Sequence, residues 1–520
     1  MNFLEGITPR EYQQKIFETC TKKNCLVVLP TGLGKTLVAL MLAIERLQKY
    51  PGEKVVLLAP TKPLAEQHIT SFKKYLPELF ADMELFTGAI KSEKRKKIWQ
   101  TADIIFSTPQ CVANDLRKNL YGLKEVCLLI EDEAHRCIRN YDYNYVAQKY
   151  MEQAEHKRII GLTASPGSET SKIREICKNL SIEEVELRTR ESPDVKMYLQ
   201  EREFEKVTVD FPPELEEIRQ VLKKLFEEYV EELKRRQVLY GPINKIALIE
   251  LQKRIMATLS RGNKNFNYML AASACAQAVK IQHALELLET QTLFSFNKYL
   301  KEILEQASKK QSRGVQKLAL KPEFNFSFMR SNELLAKEIE HPKIMKLLEI
   351  INEEVKEKSK TKIIIFTQFR ESALVISKHL NKIPGVKSKI FVGQTKRGGM
   401  GMSQKEQKKM IEEFSEGGLN ILVATSIGEE GLDIPEVNAV IFYEPIPSAI
   451  RAIQRAGRTA RLMKGKLIIL ITKKTRDETF YYVSRSKEKK MQSAINSIKE
   501  DLKNGISKEK ARKENQRTLN

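Results

Sequence analysis

With 520 residues, 42% of them hydrophobic and 30% charged, the chain is long enough for about three domains of roughly 150 residues each, with apolar material for every core. Lysine and arginine outnumber aspartate and glutamate by 22, which suits a polyanionic partner, nucleic acid first, with a merely solvated basic surface as the alternative. The longest apolar runs, such as Leu467–Ile471, are far too short to cross a bilayer, so a membrane partner is not expected.

Met1-Asn-Phe-Leu-Glu-Gly lacks the apolar stretch of a signal peptide. The cysteines (Cys20, Cys25, Cys111, Cys127, Cys137, Cys177, Cys275) form no Cys-x-x-Cys pair, and are expected as reduced core thiols of a soluble intracellular protein. The lysine- and glutamate-rich composition also fits a thermophile.

In chain order, Ile7-Thr-Pro-Arg-Glu-Tyr-Gln13 reads as the start of a helix with Thr8 as cap and Pro9 in its first turn. Gln13, with Arg10 beside it, is placed to read an adenine edge if a nucleotide loop follows; a plain capped helix is the alternative. The apolar run Leu26–Leu29 predicts a buried strand, and Leu37 to Leu47 predicts a helix. Between them lies Thr31-Gly-Leu-Gly-Lys-Thr36, a strand–loop–helix phosphate cradle in which Gly32, Leu33 and Gly34 bring backbone N–H groups close. Lys35 can reach the β- and γ-phosphates and Thr36 can offer its hydroxyl to Mg²⁺. Leu29 stands where the general P-loop pattern has its first glycine.

Further short apolar runs at Val55–Ala59, Ile104–Ser107, Val126–Ile130 and Arg158–Leu162 alternate with helical stretches and predict a parallel α/β sheet with ligands at its carboxyl ends. Those ends are polar: Pro60-Thr-Lys-Pro63, Thr108-Pro-Gln110, Glu131-Asp-Glu-Ala-His135 and Thr163-Ala-Ser165. In the acidic cluster Asp132 is placed to hold Mg²⁺ and Glu133 to orient an attacking water, because adjacent buried carboxylates are costly without a cation. His135, with only Cys137 near it, lacks the partners of a zinc site and is read as a contact between the nucleotide site and moving parts.

From Glu201 the pattern turns helical. Leu215, Ile218, Leu222, Leu225, Tyr229 and Leu233 share one helix face, and further helices are predicted at Ile243–Leu259, Phe266–Glu289 and Thr292–Gln306, with recurrent basic groups such as Lys234-Arg-Arg236. Lys321–Phe328 reads as a linker. A second α/β alternation follows, with strands at Lys362–Phe366, Lys389–Val392, Asn420–Ala424, Ala439–Phe442 and Lys466–Ile471, and no P-loop. Arg455, Arg458 and Arg461 recur on one face of a predicted helix, suited to stabilising charge on a phosphate held by the other sheet domain. From Arg485 the chain reads as a helix and then a solvated basic tail.

This ordered set resembles the superfamily-2 helicases of the DExH type, and the helical insertion resembles most the archaeal Hef helicase and its FANCM relatives. The resemblance implies two RecA-like α/β motor domains around an all-helical insertion: 1–200, 201–335 and 336–484, followed by a basic end at 485–520. It implies ATP and Mg²⁺ as cofactors. Lys35, Asp132, Glu133, Gln454, Arg458 and Arg461 become the catalytic set, and Arg10, Gln13, Thr31, Gly32, Leu33, Gly34, Thr36, Gly431 and Asp433 complete the nucleotide site. Nucleic-acid contacts are implied for Pro60, Thr61, Lys62, Thr87, Gly88, Thr108, Pro109, Gln368, Gly393 and Thr425, and coupling for His135, Thr163, Ala164 and Ser165. Ala460 replaces the glycine usual before the last arginine of motif VI. By the same resemblance the expected substrate is forked or branched DNA in replication-fork repair, in an archaeal cytoplasm on the nucleoid, with a nuclease domain further along the full-length chain. The RIG-I/Dicer helicases, acting on duplex RNA, and a non-catalytic nucleic-acid scaffold are the alternatives.

Overall fold

The computed structural model describes residues 4–77, 79–198, 202–241, 243–261, 265–357, 361–393, 401–425, 435, 437–446 and 465–517. In the first part, β1 (Cys25–Val28), β2 (Lys54–Leu58), β3 (Met83–Phe86), β4 (Ile104–Ser107), β5 (Val126–Asp132), β6 (Ile159–Thr163) and β7 (Glu184–Leu187) form one sheet of order β3-β4-β2-β5-β6-β1-β7. Every neighbouring pair is parallel. Side-chain alternation sends Leu26 and Val28 into one core and Cys25 and Val27 into the other, so helices must cover both faces. Three of those helices bear on the site: α1 (Glu11–Lys22), α2 (Lys35–Lys49) and α3 (Lys62–Tyr75).

The second sheet has the order β10-β11-β9-β12-β13-β8 and is likewise parallel, built from β8 (Arg202–Val209), β9 (Ile363–Phe366), β10 (Ser388–Phe391), β11 (Ile421–Ala424), β12 (Ala439–Phe442) and β13 (Gly465–Thr472). Between β8 and β9 a bundle of helices, among them Pro213–Arg235, Lys245–Ser260, Phe266–Thr290 and Leu293–Ser308, closes round its own apolar core.

Several expectations are corrected. The helical region does not begin at 201: Arg202–Val209 pairs with the whole of β13 in an eight-residue parallel register. Its charged residues (Glu203, Glu205, Lys206) hid it, as an edge strand needs only one partly buried face. The edge strands β3 and β7 escaped the same reading, each carrying glutamate among its apolar residues. Lys321–Phe328 is not a linker but the start of the helix Pro322–Ala336, which buries Phe324, Ser327, Ser331 and Leu334 at helical spacing. The helix expected from Arg485 begins earlier, and the stretch expected as a tail after it is helical through Arg517. A single helix, Arg476–Arg517, leaves β13 and puts Met491, Ala494, Ile495 and Ile498 into a core of the first sheet. Arg10, not Thr8, caps α1, its N–H bonded to Gln13 Oε1 at 2.8 Å. All seven cysteines are buried and unbridged, and no described helix is long and apolar enough to cross a membrane.

One buried ion pair joins three of these parts. Lys343 Nζ lies 2.8 Å from Asp477 Oδ2, both side chains fully buried, and donates to Thr290 O at 2.7 Å; the N–H of Thr472 donates to the same Asp477 oxygen at 3.0 Å. Removing one partner strands a buried charge. Lys343→Ala is therefore expected to cost about 3–5 kcal/mol, and the double change Lys343→Met with Asp477→Leu much less. Urea unfolding of the three proteins checks the order.

Candidate nucleotide and nucleic-acid site

The phosphate cradle is built by the backbone between β1 and α2. Leu29 N–H still bonds the neighbouring strand, at Thr163 O (3.0 Å), and the chain then turns through Gly32 and Gly34, whose φ values of +86° and +80° favour glycine. Gly34 caps α2, so the N-terminal amides of that helix face the loop. Lys35 Nζ donates to Leu29 O at 2.9 Å, which keeps the ammonium over the cradle. Tyr12 Oη and Gln13 Nε2 both donate to Leu33 O, at 2.8 and 3.1 Å. Both ends of the Gln13 amide are thus used inside the protein, tying α1 to the loop. The Arg10 guanidinium lies 5.3 Å from the centre of the Tyr198 ring.

The acidic cluster divides between the two faces of β5. Glu131 points away from the cradle. Burial pushes its carboxyl up to about 8, with the Cys137 thiol, which donates to Glu131 Oε2 at 2.9 Å, pulling part of the way back. Glu131 therefore does not share the charge cluster expected of it. Asp132 faces the site. Burial alone would raise its carboxyl, but His68 and then Lys35 more than offset this and hold it below the ordinary range. His68 Nε2 is 2.8 Å from Asp132 Oδ2, and Tyr143 Oη donates to Asp132 O at 2.9 Å. Glu133 is left-handed at φ +53°, and its Oε2 lies 3.2 Å from His135 Nδ1.

His135 Nδ1 is also 3.2 Å from Thr163 Oγ1, which donates to Ser165 O and accepts from Ser165 N–H, both at 3.1 Å. The end of β5 and the loop Thr163-Ala164-Ser165 are thereby joined. Ser165 Oγ in turn donates to Met491 Sδ of the C-terminal helix at 2.9 Å.

The donor set fits a magnesium nucleotide. It offers a hydroxyl at Thr36, a carboxylate at Asp132 that stays anionic although buried, an ammonium at Lys35, and a glycine cradle that a Cβ would obstruct.

Pro60, Thr61 and Lys62 follow β2, Thr87 and Gly88 follow β3, and Thr108 and Pro109 follow β4, three adjacent strands, so these residues line one continuous stretch of the sheet's carboxyl edge. Thr61 and Thr108 cap helices that begin there, and Arg95, paired with Asp115, donates to Thr87 O at 3.2 Å. Across the cleft, Gln368 N–H donates to Glu444 Oε1 and Gly393 O accepts from Arg370. Thr425 is buried, its N–H on Phe391 O at 3.1 Å. Gln454, Arg458, Arg461, Gly431 and Asp433 lie outside the described residues. The sequence reading missed His68, Tyr143 and Met491, which reach the site from distant elements.

Residues 10–173 match the family model of DEAD/DEAH box helicases, 342–463 the helicase conserved C-terminal domain, and 214–340 a helical-bundle model named for ATP-dependent RNA helicases. The crystal structure of the Pyrococcus furiosus Hef helicase domain is 42% identical, covering 92% of this chain and 98% of that one at a TM-score of 0.71. An ATP-dependent DNA helicase, mph1 of Neurospora crassa, is 33% identical over 91% of this chain and 41% of its own length. The Fanconi anemia group M protein homolog of Mus musculus is 31% identical over 95% and 26%. A Methanocaldococcus jannaschii protein whose name makes it a candidate ATP-dependent RNA helicase is 37% identical over 94% and 61%. The chain spans less than two thirds of the length of these curated relatives.

Fold and site together define an ATP-dependent helicase motor with two parallel-sheet domains. Within that class the chain belongs to the Hef/FANCM family.

A methyl group at Gly34 would lie 2.2 Å from Gln13 Nε2, on a backbone at φ +80°. Gly34→Ala is expected to cost roughly 1–2 kcal/mol in strain and to weaken ATP binding with little change in overall fold. Titration with a fluorescent ATP analogue checks this; unaltered affinity would mean that the loop has slack.

Proposed function

We propose that this chain is the motor of a DNA translocase acting on forked or branched DNA, the ATP-driven part of a longer protein that carries a nuclease domain and serves fork repair on a prokaryotic nucleoid. The observation that carries the reading is the continuous carboxyl edge of β2, β3 and β4, bearing Pro60-Thr-Lys62, Thr87-Gly88 and Thr108-Pro109 beside the glycine cradle with Lys35 and the acidic pair. Edges of this kind present backbone N–H groups, hydroxyls and Lys62 to phosphates, which grips a strand without reading its bases. The names of the DNA helicases among its relatives favour DNA. The relative named for RNA keeps duplex RNA as the second reading.

Magnesium ATP, when bound, supplies the phosphoanhydride whose cleavage drives the motor. Lys35 serves as the cation over the cradle, Asp132 and Thr36 as the metal-facing oxygens, and Glu133 as the group that orients a water and accepts its proton. The resemblance gives Gln454, Arg458 and Arg461 the role of answering charge on the γ-phosphate, so that opening and closing of the cleft would alternately tighten and release the strand. His135, Thr163 and Ser165 pass that change to the strand-gripping edge.

ATPase stimulation by matched forked DNA, linear duplex DNA and duplex RNA tests the reading. The fork is expected to stimulate most, and preference for RNA would transfer the assignment to the second reading. Lys35→Ala should abolish turnover on every substrate while leaving fork binding in gel shifts largely intact. Near-normal hydrolysis by that variant would remove the nucleotide assignment itself.

The helical bundle is the part proposed to choose the substrate. It carries Lys234, Arg235, Arg254 and Arg261, and leaning over the edge it would add phosphate contacts only where a second arm exists. Each neutralised phosphate steepens the log–log salt dependence of duplex binding by about 0.9. Replacing residues 213–336 by a short flexible linker should leave single-strand-stimulated ATPase, erase the fork preference, and flatten the fork salt slope to that of a plain strand. A deletion that folds yet keeps preference and slope makes the bundle a spacer.

A further inference from the structure

We infer that His68 is a positioning residue that holds the Asp132 carboxylate and links it to the strand-gripping start of α3. The second half of this rests on the proposed nucleic-acid seat at Pro60-Thr-Lys62.

His68 sits in α3, six residues beyond Lys62, a rise of about 9 Å along a stiff helix. Its ring is buried, as is Asp132. A carboxylate oxygen only accepts, so the 2.8 Å contact assigns the hydrogen to Nε2, which donates to Oδ2. That bond uses one carboxylate oxygen, and the Lys35 ammonium acts on the carboxylate as a second positive charge. His68 Nδ1 is buried with no hydrogen-bond partner among the described residues.

A histidine kept only for packing would bury both nitrogens satisfied, or be apolar. Here one nitrogen has no partner among the described residues and the other is committed to the carboxylate that would face the metal. Groups behind a metal-facing carboxylate fix its orientation, and losing one typically weakens metal binding 10–100-fold.

The Tyr143 hydroxyl on the Asp132 carbonyl fixes the backbone, and the Glu133 N–H that also favours the charged carboxylate belongs to the same turn. Of the groups that hold the carboxylate, His68 is the one that ties its orientation to where α3 stands. The first turn of α3 is the end that a strand would press on: Thr61 caps it, and Lys62 is half exposed and paired with its helix neighbour Glu66 at 3.3 Å. A strand seated there and a metal held by Asp132 bear on one rigid element from its two sides, a physical basis for coupling that sequence adjacency alone would not supply.

The test compares wild type, His68→Phe, which keeps ring volume without a donor, and His68→Gln, which keeps an N–H donor. Thermal melting first establishes that each is folded. Two binding measurements follow, neither needing turnover: the Mg²⁺ concentration for half-maximal binding of a fluorescent ADP, and single-strand DNA affinity with and without magnesium ADP. His68→Phe is expected to raise the Mg²⁺ requirement about tenfold and to abolish the effect of nucleotide on strand affinity, with His68→Gln restoring most of both. A folded His68→Phe with an unchanged Mg²⁺ requirement, or with the strand–nucleotide effect intact, overturns the inference. If His68→Phe does not fold, His68→Gln decides alone: wild-type values support the donor role and loss of both effects overturns it. Lys62→Ala separates this from the seat. Undiminished strand binding by that variant would refute the seat, while the Mg²⁺ shift would still report on His68 and Asp132.

Discussion

The salt bridge between Lys343 and Asp477 sets the frame on which the cleft depends. Two opposite charges with no solvent access need further hydrogen bonds to be tolerable, and here Lys343 donates to Thr290 O and Asp477 Oδ2 accepts from Thr472 N–H, while Asp477 Oδ1 has no partner among the described residues. Thr290 and Thr472 belong to the end of a bundle helix and the end of β13, while Lys343 opens the helix Pro342–Glu357 and Asp477 opens the C-terminal helix. A pair with such strict geometry fixes the direction in which the C-terminal helix departs. That direction carries Met491, Ala494, Ile495 and Ile498 back to a core of the first sheet. One ion pair in the second domain thus bears on how the first domain is held.

Inside the first sheet the governing constraint is the alternation of side chains along β5. Glu131 and Asp132 are neighbours in sequence, yet one lies in an apolar core beside Cys137 and the other faces Lys35. Their environments push their carboxyls in opposite directions, Glu131 up to about 8 and Asp132 down. At neutral pH a neutral carboxyl and a carboxylate stand side by side, so the strand does not carry the charge repulsion that its sequence suggests. The left-handed turn at Glu133 then re-aims the chain, bringing His135 to Thr163.

What could be read from sequence was what is decided locally. The strand–loop–helix around Lys35 is legible because its glycines, lysine and hydroxyl act within a few residues of one another, and the strands of both sheets' interiors announce themselves as short apolar runs. What escaped was set by partners far along the chain. His68 reaches Asp132 across 64 positions and Ser165 reaches Met491 across 326. The strand Arg202–Val209 looks like a charged loop until β13 is laid beside it. The helix Pro322–Ala336 looks like a linker because its aromatic residues are spread round it, and only the bundle core shows which side is inside. Spacing did hold the signal at the chain end: residues 491, 494, 495 and 498 mark one helix face, short and flanked by the lysines 487, 489, 490 and 499.

The order of attachment has a mechanical consequence. On leaving the first sheet the chain enters the second as β8 before it enters the bundle, so the bundle is inserted into the second domain and does not hang between the two. Polar bonds reinforce this attachment. Ser372 Oγ donates to Gln291 Oε1 at 2.8 Å and lies 3.1 Å from Ser295 Oγ, and Lys298 pairs with Glu371 at 3.2 Å. Buried polar contacts are costly to leave unmade, so they resist sliding more than an apolar face of equal area does. The bundle and the second sheet should therefore move as one body. The C-terminal helix opposes that movement at its far end, because the Ser165–Met491 bond and the apolar stripe hold it to the first sheet. Relative motion of the sheets must then be absorbed along this helix or at its contacts, and the contact under most direct load is the one at Ser165, in the loop that His135 already ties to the acidic pair.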